Sequence, residues 1–276
     1  MKIVPIESVP VEEVPHVREG IFLMQKLING EPGTPGNFSL MLSRTPDTYY
    51  SPRHRHNFDQ VRYQLEGEFD FTRDGMMGPG MIGYFPEGIH YGPQDTKSSS
   101  LTLVLQFGGD SGSGYLSREE YDRAAEILSA KGVFSKGVYT VEKPGGGKTN
   151  KDAYEAVWEQ VHGRPLQYPK TEFTTPVFIN PGEVDWEDID QPGVQRKTLG
   201  VFSDSGTRIQ RFRIQPDSKW IMEDICLYFV DDGEGVIDGQ AYTKHTSVHV
   251  EAGEAPVIEA AAVTDILQLG MPAQFK

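Results

Sequence analysis

Four polar residues within one stretch of the chain have the types and spacing of a metal site. His54 and His56 are two residues apart, and Gln60 is four further on. Because alternate side chains of a β-strand point to the same face, an unbroken strand presents all three together. His90 follows thirty residues after Gln60, just past a Pro-x-Gly turn, where a neighbouring antiparallel strand can return it to that face.

We therefore predict that His54, His56 and His90 bind one ion, the alternative being a surface histidine pair. Gln60 is either a further ligand or a group that hydrogen-bonds beside the ion. Neutral imidazoles suit divalent transition metals, and we expect Fe(II), with Mn, Ni or Zn as alternatives. Three imidazoles leave about half of an octahedral shell open for a substrate and O2.

Arg62 lies two residues beyond Gln60, so alternation points it to the same face. A buried guanidinium near a metal can clamp a substrate carboxylate through two parallel hydrogen bonds. We predict this catalytic role for Arg62, and a structural salt bridge is the alternative.

The composition places these residues in a β-rich globular protein. The chain of 276 residues is 37% hydrophobic and 11% aromatic, with 30 Gly and 19 Pro, which implies a packed core and many tight turns. Short β-prone runs such as FSLMLSR and SLTLVLQFGG are bounded by turn residues. The pattern predicts an all-β class.

Charge and cysteine content exclude several functions. A net charge of −14 repels phosphate backbones, so we expect no nucleic-acid partner. The single cysteine, Cys226, has no partner for an internal disulfide. No stretch is long and apolar enough to span a bilayer, and the first residues are not typical of a secretory signal. We expect a cytoplasmic protein with a small-molecule substrate and no membrane association.

Two segments break the β pattern. Residues 117–131 repeat apolar side chains at helical spacing, and Ser117 with Glu120 forms a predicted capping box. Residues 150–163 predict a second helix or a turn. Strands return from about Thr175, and LYFVDDGEGVIDG echoes RYQLEGEFDFTRDG, which indicates a duplicated domain.

These residues resemble the cupin family. Its first motif, Gly-x5-His-x-His-x3/4-Glu-x6-Gly, is matched by His54, His56 and Gly67, with Gln60 in place of Glu. Its second motif is Gly-x5-Pro-x-Gly-x2-His-x3-Asn. The chain matches that motif at Gly80, Pro86 and Gly88, while His90 arrives one residue early and Gln94 takes the Asn position.

The run HRHNFDQVRYQLEG is also similar to bicupin ring-cleaving dioxygenases of the gentisate type. In that family the arginine contacts the substrate carboxylate, which the resemblance carries to Arg62. The further histidines of their second motif are absent here. Glu87, in the turn before His90, is expected to face solvent, and an approach to the mouth of the site is the alternative.

The cupin resemblance implies two jelly-roll-like antiparallel β-barrels with a short helical connection. We expect an N-terminal arm at residues 1–35, with a partly disordered tail as the alternative, a metal-binding barrel at 36–115 and a connecting segment with helices at 116–170. Residues 171–276 are expected to form a second barrel, with an unrelated β fold as the alternative. Aligning the two halves puts Lys219 and Ile221 where His54 and His56 stand, so the second barrel is expected to be degenerate and without ligands. A homodimer is an expectation of the resemblance.

We therefore expect a metal-dependent oxidoreductase, an Fe(II) dioxygenase that acts on a small aromatic or carboxylated compound. Two alternatives stay open. One is a metal-dependent isomerase, hydrolase or decarboxylase, and the other is a non-catalytic cupin that binds a small molecule. Fold cannot separate them, because function resides in the site.

Overall fold

The structure is a computed structural model that describes residues 1–15, 21–96, 98–109, 115–202, 206–272 and 275. The chain divides into two compact units. The N-terminal unit comprises Val11–Met24 and Asn29–Phe178, and the C-terminal unit comprises Met1–Pro10, Gln25–Ile28 and Ile179–Lys276.

The N-terminal unit contains most of a seven-stranded sheet, together with a four-stranded sheet. In spatial order, the larger sheet consists of β15 (Val177–Ile179), β9 (Ile82–Phe85), β6 (Phe58–Glu66), β11 (Ser100–Gly108), β4 (Phe38–Thr45), β3 (Ile21–Asn29) and β2 (Glu12–Pro15). The smaller sheet consists of β5 (Tyr50–Ser51), β10 (Gln94–Asp95), β7 (Phe69–Asp70) and β8 (Met76–Met77).

The C-terminal unit repeats this arrangement. Its larger sheet consists of β1 (Lys2–Val4), β23 (Ser247–Val250), β20 (Cys226–Asp232), β25 (Thr264–Gly270), β18 (Arg208–Ile214), β17 (Val194–Val201) and β16 (Glu187–Asp188). Its smaller sheet consists of β19 (Lys219–Ile221), β24 (Val257–Ala260), β21 (Gly235–Ile237) and β22 (Gln240–Tyr242).

The two units therefore share one strand order. β6 and β20, which carry the two sequences that echo each other, occupy the same place in their sheets. The predicted β class and internal duplication are confirmed. The structure groups the first 35 residues differently from a single arm, since β1 pairs with β23 whereas β2 and β3 extend the sheet that contains β4.

A helical insertion follows β11 in the N-terminal unit. It consists of α1 (Arg118–Ser129), β12 (Val133–Ser135), β13 (Val138–Glu142), β14 (Lys148–Asp152) and α2 (Ala153–His162). Both predicted helices are confirmed. The insertion shares a core with β6, because Trp158 of α2 and Phe58 of β6 belong to one buried apolar cluster.

The predicted capping box at the start of α1 forms. Ser117 Oγ accepts from the backbone N–H of Glu120 at 3.2 Å, and Glu120 Oε2 accepts from the backbone N–H of Ser117 at 2.9 Å. Ser117→Ala is expected to lower the free energy of unfolding by about 1 kcal/mol, measured by urea denaturation. Ser129→Ala, in the last turn of α1, is the control and should change it by less than about 0.5 kcal/mol. Equal losses in the two variants would contradict the capping role.

The C-terminal unit has an apolar interior that contains Trp220, Phe212, Tyr228 and Cys226. Burial raises the pKa of the Cys226 thiol from its ordinary value of 9 to about 11. The folded state therefore prefers the neutral thiol, while the unfolded chain ionises at the lower pH.

The contribution of Cys226 to stability is fully present below about pH 9 and is lost as the pH rises towards 11. At about 1.4 kcal/mol per pH unit, we expect a loss of about 3 kcal/mol over that window. Denaturation at pH 8 and pH 10.5 measures this effect, with Cys226→Ala as the reference. An equally steep alkaline loss in the variant would assign the effect to other groups.

In the described part of the chain, no helix is long and apolar enough to cross a membrane.

Candidate functional site

The candidate site is built around β6. Residues 58–64 are buried on both faces of this strand, so its polar side chains need partners within the protein. The register places Arg62 opposite Gly83 of β9. A Cβ at Gly83 would lie 2.7 Å from Met77 Sδ and 2.8 Å from the ring of Phe85. The glycine therefore lets these two side chains approach the backbone opposite Arg62.

Arg62 is 9% exposed and lies at the centre of a polar group. Its Nε donates to Gln60 Oε1 at 2.5 Å, and Nη1 donates to Gln94 Oε1 at 2.5 Å. Its Nη2 donates to the hydroxyl of Tyr91 at 3.1 Å. We call these four residues the Arg62 cluster. Each of the three acceptors is a neutral group.

Aromatic rings also lie beside the guanidinium of Arg62. The guanidinium carbon lies 4.5 Å from the ring centroid of Phe85 and 5.7 Å from that of Phe71. Among the residues that the structure describes, no carboxylate forms an ion pair with Arg62, so the predicted alternative of a structural salt bridge is not seen there. A buried charge without a counter-charge carries a desolvation cost of several kcal/mol.

His54 is joined to the Arg62 cluster through Tyr91. The two residues form a β-bridge, with His54 N donating to Tyr91 O at 3.1 Å and Tyr91 N to His54 O at 2.9 Å. His54 Nδ1 lies 2.6 Å from the carbonyl oxygen of Pro52, which can only accept, so we assign the proton to Nδ1. His54 Nε2 then accepts from the Tyr91 hydroxyl at 3.2 Å, and that oxygen accepts from Arg62.

His56 lies beside His54, although both precede β6 and the predicted unbroken strand from His54 to Gln60 does not form. Their ring centroids are 4.9 Å apart and the rings are nearly perpendicular, at 88°. The His56 ring also lies 4.4 Å from that of Phe58 and 6.0 Å from that of Tyr154 in α2. The structure therefore brings His54 and His56 together in an aromatic environment.

Arg53 fixes the backbone on both sides of Tyr91. Its guanidinium donates to the carbonyl oxygens of His90 and Gly92, each at 2.6 Å, and pairs with Asp74 at 2.6 Å. Asp74 also accepts from the backbone N–H of Gly92 at 2.9 Å. These contacts hold the segment at the register that directs the Tyr91 ring towards His54.

His90 is not part of this group, and its prediction as the third ligand needs correction. The Tyr91 ring lies 4.6 Å from the His54 ring and 5.8 Å from the His56 ring and is 1% exposed, whereas His90 is exposed. Neighbouring residues of an extended segment point to opposite sides, so a shift of one residue exchanges them. Although His90 is exposed, partial desolvation by its neighbours, followed by the charges of Arg55 and Arg53, lowers its pKa.

Gln60 and Glu87 were the subjects of two further expectations. Gln60 forms the hydrogen bond of its second alternative, since its side-chain oxygen accepts from Arg62. Glu87 is 3% exposed, so the expectation that it faces solvent is wrong. Its backbone N–H donates to the buried carboxylate of Asp59 at 2.6 Å, and a Cβ at Gly109 would lie 2.8 Å from Glu87 Cβ. These long-range contacts bury the turn that contains Glu87 within the N-terminal unit.

The insertion adds side chains that sequence reasoning missed. The Arg55 guanidinium carbon lies 3.6 Å from the ring centroid of Tyr168, and Arg55 pairs with Glu155 of α2 at 3.5 Å. The Tyr168 hydroxyl donates to Glu155 Oε1 at 2.8 Å. Burial raises the pKa of Tyr154, which contacts His56, well above its ordinary value. The only early signal was the position of Arg55 between the two histidines.

The groups present do not fit a divalent transition metal held in the way the cupin motifs imply. A third imidazole or a carboxylate would complete such a set. Instead, the Tyr91 hydroxyl lies beside His54 at the position of the third ligand, and the Gln60 oxygen is hydrogen-bonded to Arg62. Within the described ranges, no three His, Cys, Asp or Glu side chains are grouped to hold a metal ion.

No protein-family model and no curated protein sequence matches the chain. Solved structures do match. A protein from Nostoc punctiforme, described only provisionally as a dioxygenase, has a TM-score of 0.64 at 10% identity, over 99% of this chain and 83% of its own. A point mutant of Bacillus subtilis oxalate decarboxylase has a TM-score of 0.57 at 13% identity, over 99% of this chain and 78% of its own.

The chain has a bicupin fold. A third match, GK1651 from Geobacillus kaustophilus, has a TM-score of 0.51 at 13% identity and covers 98% of this chain and 97% of its own. At these identities the likeness concerns the fold, and the site must be judged on its own residues. In this chain the polar interior around Arg62 belongs to the N-terminal unit.

The C-terminal unit offers no equivalent site at the matching positions. The bulges of β6 and β20 match Gln64 with Val230, so the register gives Trp220, Met222 and Tyr228, and not Lys219, Ile221 and Leu227, as the counterparts of His54, His56 and Arg62. All three belong to the buried apolar core of that unit. The contrast with the apolar core around Trp220 makes the Arg62 cluster a special feature of the N-terminal barrel.

Proposed function

We propose that this bicupin binds a small organic carboxylate inside its N-terminal barrel, with Arg62 as the anion ligand. The observation that carries the proposal is a guanidinium that is buried and has no carboxylate partner among the described residues. A bound anion would supply the missing counter-charge.

The guanidinium retains donors for such an anion. Of its five N–H groups, three are used by Gln60, Gln94 and Tyr91. The other two can form charge-assisted hydrogen bonds, which are stronger than neutral ones. The rings of Phe71 and Phe85 beside Arg62 favour a compound with an aromatic or apolar body attached to its carboxylate.

Calorimetric titration with benzoate tests the proposal, with benzamide as a neutral compound of the same shape. Two hydrogen bonds to a charged group are worth about 3 kcal/mol, so benzoate is expected to bind about 100-fold more tightly than benzamide. The titration is done in buffer that contains EDTA. Equal affinities for the two compounds would contradict the proposed anion site.

A metal-dependent oxidoreductase, such as an Fe(II) dioxygenase, is the second candidate. The close approach of the His54 and His56 rings supports it, as does the fold likeness to the provisionally described dioxygenase. In that case Arg62 would hold the substrate carboxylate. Oxygen uptake with salicylate or gentisate after anaerobic loading with Fe(II) would favour this candidate, provided that His56→Ala abolishes the uptake.

A further inference from the structure

We infer that Tyr91 has replaced the third metal ligand of the N-terminal barrel, which makes its ligand site independent of metal. The spacing from Gly80, Pro86 and Gly88 assigns the ligand position of the second cupin motif to residue 91. The structure places the Tyr91 ring beside both His54 and His56. A phenol therefore stands where a third imidazole would complete the set.

The hydrogen bonds of His54 support this inference. Its Nδ1 proton is held by the carbonyl oxygen of Pro52, and its remaining lone pair, on Nε2, accepts from the Tyr91 hydroxyl. An ion on Nε2 would have to displace that hydroxyl, which would also remove the acceptor of Arg62 Nη2. Both ring nitrogens of His54 therefore have hydrogen-bond partners without an ion.

Gln60 provides an independent argument. Its amide oxygen accepts from Arg62 Nε, at the position where the cupin motif has a carboxylate. A glutamate there would both favour a metal and neutralise Arg62. The neutral amide instead positions Arg62 and leaves its positive charge available for an external anion, a step that rests on the proposed function.

Ion content measured by plasma mass spectrometry tests the inference. The unmodified protein is dialysed against excess Mn(II), Zn(II) or anaerobic Fe(II), and then against metal-free buffer. We expect well under one ion per chain, and the same in His54→Ala. Retention of about one ion per chain that His54→Ala removes would overturn the inference.

Two variants provide the complementary evidence. Gln60→Glu is expected to weaken benzoate binding at least about 10-fold, because the new carboxylate pairs with Arg62. Gln60→Glu combined with Tyr91→His restores the motif ligands and should retain more Mn(II) than the unmodified protein. Unchanged benzoate binding in Gln60→Glu, or no gain of Mn(II) in a double variant with a native circular dichroism spectrum, would count against the inference.

Benzoate titrations with EDTA and with added Mn(II) separate the inference from the proposed function. Binding only in the presence of metal would refute metal independence and leave the anion site intact. If benzoate binds under neither condition, the proposed anion site fails, and the ion count alone then decides whether Tyr91 has replaced a ligand.

Discussion

Arg62→Met is expected to weaken benzoate binding about 100-fold, because methionine removes both free N–H donors and the positive charge. Calorimetric titration measures the loss. We expect the free energy of unfolding to change by less than about 2 kcal/mol. The variant avoids the desolvation cost of a buried charge, and this gain offsets the loss of the hydrogen bonds to Gln60 and Gln94. Urea denaturation checks this second quantity.

Two variants control for general effects of charge. Arg44→Met removes a guanidinium from the exposed pair with Glu66 and should leave benzoate binding unchanged within about 2-fold. Arg62→Lys keeps the charge but loses the planar fork, so an intermediate affinity is expected. Full affinity in Arg62→Met would show that the guanidinium does not hold the carboxylate.

Trp158→Ala is expected to lower the free energy of unfolding by about 3–5 kcal/mol. Trp158 is fully buried in α2, in the core that joins the insertion to Phe58 of β6. Truncation leaves a cavity where the indole ring packed, and the helices on either side can relax only in part. Urea denaturation followed by circular dichroism gives the size of the loss.

Trp186→Ala is the matched control for this prediction. Trp186 is half-buried and contacts Lys197 and Arg213 through its ring face, at 4.8 Å and 4.6 Å. Its truncation is expected to cost about 1–2 kcal/mol. Trp158→Phe should retain most of the stability, because the indole N–H of Trp158 has no hydrogen-bond partner in the described part of the chain. A loss of under about 1 kcal/mol in Trp158→Ala would mean that the insertion is not held by this core.

Local periodicity predicted the elements of this fold well. Alternation along the strand identified β6. The unbroken strand predicted from His54 to Gln60 does not form, since both histidines lie before β6 in a segment outside the strands, although their rings are still side by side. The capping residues Ser117 and Glu120 marked the start of α1, because that signal depends only on neighbours in the chain. The echo between the two halves predicted the repeated strand order.

The orientations of His90 and Glu87 could not be predicted from the sequence, because long-range contacts determine them. The contacts of Arg53 with the carbonyl oxygens around Tyr91 set a register that no local pattern contains, and His90 therefore faces away from the site. Glu87 is buried because Asp59, far away in sequence, binds its backbone. Whether Arg62 meets a carboxylate depends likewise on which side chains the fold brings to it.

The pairing of β1 with β23 has a consequence for biosynthesis. Lys2 lies opposite His249, 247 positions later in the chain. At a translation rate of about 5–20 residues per second, the interval between the synthesis of β1 and the synthesis of its partner strand β23 is on the order of ten to fifty seconds. A strand that is made early is thus paired late, and in the interval its unpaired edge is open to chaperones or to other nascent chains.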